Sequence, residues 1–384
     1  MKELKYGMVY FKNFKNEDFV WGLLALGKDV EIIDTEISRE STKESDANAL
    51  YEELLKNKID VAVSFDFCPA LSDACIRRGM PYISWIYDAP IQMVYEDQIK
   101  NNCNYIFSFD RVQIKQIRER GAENVFYMPL GTNLLRNGAI EISDLDREKY
   151  ACTVSFIGSL YSNSDYESAI KSVDEKVRLE LEKIKGDVFG KWDGVDRLYG
   201  RMSVETINCL KSIFQNETAM DDDALYATAL IAKAVAYEER VEMLKRLADY
   251  DINFYTYQSD VSIPGIKVRG ALDYLEELPK AYFFSRINMN ITMPGITSGI
   301  PLRVFDIMGM GGFVLTNYQP EVEELFEIGK NIEVYHDFDE MVDKVKFYSD
   351  NENARKKIAL NGKKIIEGFS IEKRVREILV KAGL

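Results

Sequence analysis

The sequence predicts an α/β protein of two doubly wound, Rossmann-like domains facing a cleft, with a helical insertion in the second. Three observations predict it. Short apolar runs alternate with amphipathic helical stretches through the first third of the chain, and the same alternation restarts near residue 151. The length, 384 residues, exceeds what one hydrophobic core usually serves. Such alternation implies right-handed crossovers and parallel sheets covered on both faces.

In the first domain the pattern predicts strands over 6–10, 30–33, 61–64, 82–86, 105–108 and 125–128. Helices are expected over 17–26, 46–56, 70–78 and 112–119. Gly27 and Gly121 stand where helices should stop, as a left-handed terminal glycine would. Beyond Leu130-Gly-Thr-Asn the alternation breaks, and the polar run 141–150 reads as linker, giving domains over 1–150 and 151–384. The second domain opens with the strand Thr153-Val-Ser-Phe-Ile-Gly-Ser and resumes at Asn253-Phe-Tyr-Thr-Tyr. The interval, about 165–251, has helical spacing, dense charge and no strand signal, and reads as the insertion. The last helix is a candidate to cross back to the first domain.

Composition excludes several classes. Hydrophobic residues make up 46% and aromatics 12%, as in a packed globular chain. A net charge of −14 disfavours sequence-independent binding to nucleic acid or anionic lipid, which needs a basic face. Five cysteines lie far apart without a C-x-x-C pair, beside a single histidine, so neither a zinc site nor any other metal site is expected. Reduced thiols in a cytoplasm are the expectation. No signal sequence opens the chain, and no run approaches the roughly 18 apolar residues of a membrane span.

The chemistry concentrates in Ser298-Gly-Ile-Pro-Leu-Arg-Val-Phe-Asp-Ile-Met-Gly-Met-Gly-Gly-Phe-Val-Leu-Thr. It reads as loop, short helix, glycine stop and buried strand. Pro301 suits the first helical turn, and Gly311 and Gly312 can take the left-handed conformation that ends a helix. A helix start directs free N–H groups at whatever lies beyond it, a ready anion site. Arg303 can add a charge-assisted fork to a phosphate. Asp306, three residues on and on the same face, can accept from two neighbouring hydroxyls. A cation for a pyrophosphate and a carboxylate for a ribose diol suggest a nucleotide-sugar site.

With these residues the chain resembles the CgeB-like (spore maturation protein) branch of the GT-B, group 1-like glycosyltransferases. In the first half the resemblance rests on Trp85-Ile-Tyr-Asp-Ala-Pro, Phe109-Asp-Arg and Phe126-Tyr-Met-Pro-Leu-Gly. In the second it rests on Val154-Ser-Phe-Ile-Gly-Ser-Leu-Tyr, Glu239-Arg-Val-Glu-Met-Leu, Leu278-Pro-Lys-Ala-Tyr and Ala354-Arg-Lys-Lys-Ile-Ala-Leu-Asn-Gly. Its most specific part runs from Ile287-Asn-Met-Asn through Pro301-Leu-Arg-Val-Phe-Asp-Ile-Met-Gly-Met-Gly-Gly-Phe. The resemblance implies a GT-B fold, a nucleotide-sugar donor on the second domain and an acceptor on the first. Many relatives outside the branch carry E-x7-E, whose second glutamate holds the donor ribose. Asp306 stands at that second position, and Ser298 where the first glutamate, a sugar contact, would be.

Each remaining candidate has an ordinary alternative. Gly158 and Ser159 follow a strand where backbone N–H groups could reach a pyrophosphate, or they form a plain turn. Arg303 could pair with a surface carboxylate instead. Tyr255 and Tyr257 could stack on a base or pack in the core. Asn290 ends a strand and could hold the donor or cap a turn. Asp88 is the best candidate for a general base or acceptor-orienting carboxylate, against an Asp-initiated turn; Asp66 and Asp110 are weaker versions of the same idea. His336 suits a surface or capping role. The insertion, with Trp192 and Tyr199, reads as a solvated bundle on the second domain, or as a shaper of an acceptor or partner surface.

The expected function is metal-independent transfer of a sugar from a nucleoside diphosphate donor, UDP-linked by default, to a hydroxyl on a protein or glycan. The donor is a co-substrate, and no cofactor is expected. Asp88 and Arg303 are the expected catalytic residues; Gly158, Ser159, Tyr255, Tyr257, Asn290, Arg303 and Asp306 the donor-binding ones. A GT-B-fold epimerase, a phosphorylase, and a nucleotide-binding protein without turnover are the alternatives.

Overall fold

The computed structural model describes residues 4–12, 17–214 and 218–384. The chain divides into two compact units. The first comprises Met1–Asn133, Thr218–Met220 and Gly368–Leu384; the second comprises Leu134–Glu217 and Asp221–Glu367.

The first unit holds six parallel strands: β1 (Lys5–Tyr10), β2 (Asp29–Asp34), β3 (Val61–Phe65), β4 (Tyr82–Ile86), β5 (Asn104–Ser108) and β6 (Val125–Tyr127). Their order is β2-β1-β3-β4-β5-β6. β3 and β4 are buried along their whole length, which is why they read as continuous apolar runs. Phe19 packs edge-on against Phe65 and Trp85 at 5.9 and 6.0 Å, tying the Asp18–Ala25 helix to the sheet. The chain runs from β1 outward to β2, then back across to β3. The switch point of this sheet therefore lies between β1 and β3, where doubly wound folds bind ligands.

The second unit repeats the plan with β7 (Cys152–Ile157), β8 (Ile252–Tyr255), β9 (Lys267–Arg269), β10 (Ser285–Asn290), β11 (Val314–Asn317) and β12 (Glu333–Tyr335). All pairs are parallel, in the order β12-β11-β10-β7-β8-β9. Its switch point lies between β7 and β10. β9 escaped the sequence reading because it is a three-residue edge strand with both lysine and arginine side chains exposed, so it carries no burial pattern.

Among the described residues, 158–251 hold helices and no strand: Ser164–Ser172, Glu175–Val188, Val204–Ile213, Asp222–Tyr226, a π-helical turn at Ala227–Ala232, and Lys233–Arg246. Trp192 from this stretch is core rather than surface. It packs edge-on against Tyr335 and Phe338 at 5.1 and 5.0 Å. Burying a side chain of this size contributes about 1.5–3 kcal/mol.

Two expectations are corrected. The run 141–150 is not an open linker, because Ser143 and Asp146 form a capping box that starts the helix Asp144–Tyr150. Lys280 then pairs with Asp146 at 3.1 Å and docks that helix on Leu278–Phe284. Gly312 is not left-handed. Gly311 alone has positive φ, +78°, whereas Gly312 is required for space: a Cβ there would stand 2.8 Å from Nδ2 of Asn288.

The last helix, Ile371–Ala382, lies in the first unit and packs on Asp18–Ala25. A Cβ on Gly22 would approach Cγ2 of Val375 to 2.5 Å, so glycine sets how closely the two helices meet.

Candidate active site

The helix Leu302–Gly309 sits between β10 and β11 of the second unit. Pro301 is its N-cap rather than its first helical residue, with extended ψ of 153°. No side chain caps this end and no acidic residue stands in the first turn. The N–H groups of Leu302 and Arg303 accordingly have no acceptor among the described residues.

Arg303 reaches from this first turn to the end of β7. Its Nη1 donates to Oδ1 of Asn290 at 2.8 Å, and Nη2 lies where a Cβ of Gly158 would be, 2.8 Å from that ideal position. Gly158 has φ of +154°, unfavourable for any side chain. Asn290 is fully buried and spends its amide on Thr292 and Thr316, at 3.1 and 2.8 Å. It aims the guanidinium.

A second arginine, absent from the sequence-based candidates, converges on the same point. Arg240, on the helix Lys233–Arg246, donates to the carbonyls of Ser159 and Ile291, the latter at 3.1 Å. Its guanidinium covers the ring of Tyr161 at 4.4 Å. Arg240 and Arg303 share the ring of Phe156, at 5.6 and 5.7 Å. Neither pairs with a carboxylate among the described residues. Burial pushes the Arg240 pKa down to about 10, and the charge of Arg303 acts in the same direction. Two guanidinium groups beside one ring, with no carboxylate in bonding range among the described residues, have the chemistry to receive an anion. The readable signal for Arg240 was its register: it shares the buried stripe of Ala236 and Met243, where an arginine needs a reason.

Ser159 continues the turn. Its hydroxyl accepts from the Tyr161 N–H at 2.8 Å and lies 3.2 Å from Oε1 of Gln258, which also accepts from the Leu160 N–H at 2.6 Å. Tyr257 is exposed and its hydroxyl meets that of Ser159 at 3.3 Å. Tyr255 is only 4% exposed and takes a bond from Asn253 at 3.3 Å, so of the two tyrosines only Tyr257 offers a ring to solvent.

Asp306 is 5% exposed and accepts from the hydroxyl of Tyr274 at 3.4 Å. Arg303 and Asp306 both act on the buried hydroxyl of Tyr282, whose pKa burial raises, with Arg303 opposing and Asp306 adding. Three residues apart within this helix, the two share one side of it. Ser298, near the helix start, donates to Glu321 Oε1 at 2.9 Å; both are buried.

In the first unit, Asp88 follows β4 and is exposed. Arg39 spans two carboxylates, bonding Asp66 and, at 3.0 Å, Asp88. Asp66 is buried with φ of +55° and accepts the N–H groups of Tyr87 and Asp88, at 2.9 and 3.1 Å. Burial, then the charge of Asp88, raises its pKa to about 7 against the pull of Arg39. A non-glycine residue in the left-handed region at the carboxyl end of a strand is strain of a kind that clusters at functional sites. Asp110 is a helix cap, accepting from Val112 and Gln113 at 2.8 and 3.0 Å. His336 is exposed, bonded to Glu340 at 2.9 Å and stacked on Tyr318.

Among the described residues no cluster of three or more His, Cys, Asp or Glu could hold a metal, and no helix is long and apolar enough to cross a membrane.

Residues 238–380 match a family model described as glycosyl transferase-like. No curated protein matches the sequence. Solved structures match over essentially the whole chain. Sucrose-phosphate synthase from Thermosynechococcus elongatus is 9% identical, with 98% of this chain and 97% of that one covered and a TM-score of 0.59. A glycosyltransferase from Rickettsia africae ESF-5 is 11% identical, with 100% and 99% covered and a TM-score of 0.56. Anabaena HepE in complex with UDP-glucose is 9% identical, with 99% of each chain covered and a TM-score of 0.53. The architecture is thus that of GT-B glycosyltransferases, two Rossmann-like units each built on six parallel strands, with the glycosyl transferase-like stretch reaching across most of the second.

Proposed function

We propose that this protein is a glycosyltransferase that moves a sugar from a nucleoside diphosphate sugar, UDP-linked by default, to a hydroxyl of a protein or glycan acceptor. The observation that carries the reading is the carboxylate-free pair Arg240 and Arg303 at the open start of the Leu302–Gly309 helix. The family match over 238–380 and the UDP-glucose bound to HepE support it. Within that reading we favour the CgeB-like branch, on the residues quoted above.

When the sugar leaves, negative charge grows on the β-phosphate of the departing nucleoside diphosphate. Arg303, backed by Arg240 and joined by the N–H groups of the first turn, lies ready to stabilise that charge without a metal. Gly158 and Ser159 let the phosphates approach, Asp306 takes the ribose hydroxyls, and the exposed ring of Tyr257 is available to the base. Asp88 accepts the proton of the attacking hydroxyl, with Arg39 and Asp66 fixing its position. Five free cysteines, four of them buried, suit a reducing compartment, and we place the reaction in the cytoplasm.

The test is thermal unfolding with a panel of nucleoside diphosphates. UDP is expected to raise the melting temperature of the wild type and not of Arg303→Ala, with mass spectrometry then following transfer to candidate acceptors. No stabilisation by any nucleotide would refute the reading. The bond from Ser298 to Glu321 favours one alternative, a donor-binding protein without turnover. Nucleotide stabilisation with neither transfer nor donor hydrolysis would select it.

A further inference from the structure

The chain entering the Leu302–Gly309 helix, residues 291–301, is held by side chains from outside it. Gln319 Nε2 donates to the carbonyl of Ile296 at 3.3 Å, and Ser298 donates to Glu321 at 2.9 Å. Both partners follow β11 in the same sheet. The insertion supplies further holds, one of them the bond from Arg240 to the carbonyl of Ile291. The hydroxyl of Tyr199, 96 residues away in the insertion, donates to the carbonyl of Gly295 at 3.1 Å.

A tyrosine hydroxyl has one proton to give, so with Gly295 taking it, the Thr228 hydroxyl 3.2 Å away is the donor to Tyr199. Thr228 lies in the π-helical turn Ala227–Ala232, a widened geometry frequent at functional sites. The order Thr228, Tyr199, Gly295 thus runs from the insertion into the loop. Behind the loop is a cavity of about 60 Å³, bounded by Trp192 and Leu198 of the insertion, Thr292 and Thr297 of the loop, and Gln319. Ile291, Thr292 and Ile300 are buried, and where the loop borders this space its position depends in part on hydrogen bonds such as that from Tyr199.

On the donor reading, a sugar carried by a phosphate at the tip of the Leu302–Gly309 helix would lie next to the segment that leads into that tip. We infer that the helical insertion sets donor-sugar selectivity by fixing this segment, with Tyr199 as the positioning residue. The inference rests on the donor reading above.

The experiment measures affinities of the full-length protein and of Tyr199→Phe for UDP, UDP-glucose, UDP-galactose and UDP-N-acetylglucosamine by calorimetry. For Tyr199→Phe the UDP affinity is expected to stay within about twofold of wild type, because no phosphate contact changes. The ratios among the three sugar nucleotides, each referred to UDP, are expected to shrink by about fivefold or more, the scale of one lost hydrogen bond. UDP binding with unaltered ratios, or a wild type that ranks the three sugars equally, would overturn the inference while leaving the donor reading standing. Failure of the wild type to bind any of the four would overturn both. Should Tyr199→Phe not fold, Thr228→Val, which keeps Tyr199 and removes only the hydrogen bond that orients its hydroxyl, is expected to shift the ratios in the same direction, and unchanged ratios there would equally overturn the inference.

Discussion

The place where a Cβ of Gly158 would stand is 2.8 Å from Nη2 of Arg303, so the end of β7 and the first turn of the Leu302–Gly309 helix meet through a missing side chain. A φ of +154° at Gly158 makes any replacement strained as well as crowded. Gly158→Ala is expected to turn the guanidinium away from Asn290 and weaken UDP about tenfold or more, equivalent to about 1.4 kcal/mol. Titration calorimetry checks this, and an unchanged dissociation constant would remove the Arg303 grip from the proposal.

Asp306 stands three residues from Arg303 on one helix and has an oxygen bonded by Tyr274. If it holds the ribose, the wild type binds UDP more tightly than 2′-deoxy-UDP. Asp306→Asn should erase most of that preference, since a hydrogen bond to a charged group is worth about 1.5–3 kcal/mol. Equal loss for both nucleotides would instead assign Asp306 to holding the helix.

Asp88 lies in the first unit, and the residues proposed to bind the donor lie in the second. Asp88→Asn is therefore expected to lower turnover by about 10²–10⁴ while leaving UDP affinity as it is, the signature of a lost base. Turnover within a few-fold of wild type would reduce Asp88 to a partner of Arg39.

Glu239 is buried, takes one bond from the Gly190 N–H at 2.8 Å, and has its pKa raised to about 8, chiefly by burial. In the unfolded chain the same group ionises near 4.5. As pH rises from there, the unfolded state loses its proton while the folded state keeps it, so stability falls until the folded group also ionises near pH 8. Glu239→Gln removes this dependence. Its stability relative to wild type should therefore grow by about 1–3 kcal/mol between pH 5.5 and 8.5 in urea unfolding, and a parallel pH profile for the two proteins would contradict the assignment.

Most of the fold was legible because its signals are local. Buried parallel strands such as Val61–Phe65 read as apolar runs, Gly27 and Gly121 mark helix ends with φ of +69° and +99°, and Pro301 and Gly311 bracket the short helix. β9 was not legible, since an exposed edge strand of three residues leaves no pattern. In the site, Arg303 and Asp306 were legible by their spacing in one helix. Arg240 falls within a segment that carries the resemblance but was not legible as a site residue, because a separation of 81 positions hides its contact with Ser159.

By itself the sequence determined two parallel α/β units, a helix tip suited to an anion, and an arginine and an aspartate one turn apart on it. These follow from short-range periodicity and from which residues tolerate a helix start, and neither depends on distant partners. Tertiary structure alone decided that Asn290 aims Arg303, that Arg240 joins it over Phe156, that Tyr255 is core, and that Tyr199 reaches Gly295. Those are contacts between residues far apart in the chain, created when crossovers return each strand end to one edge of the sheet, and no local pattern encodes which ends will meet.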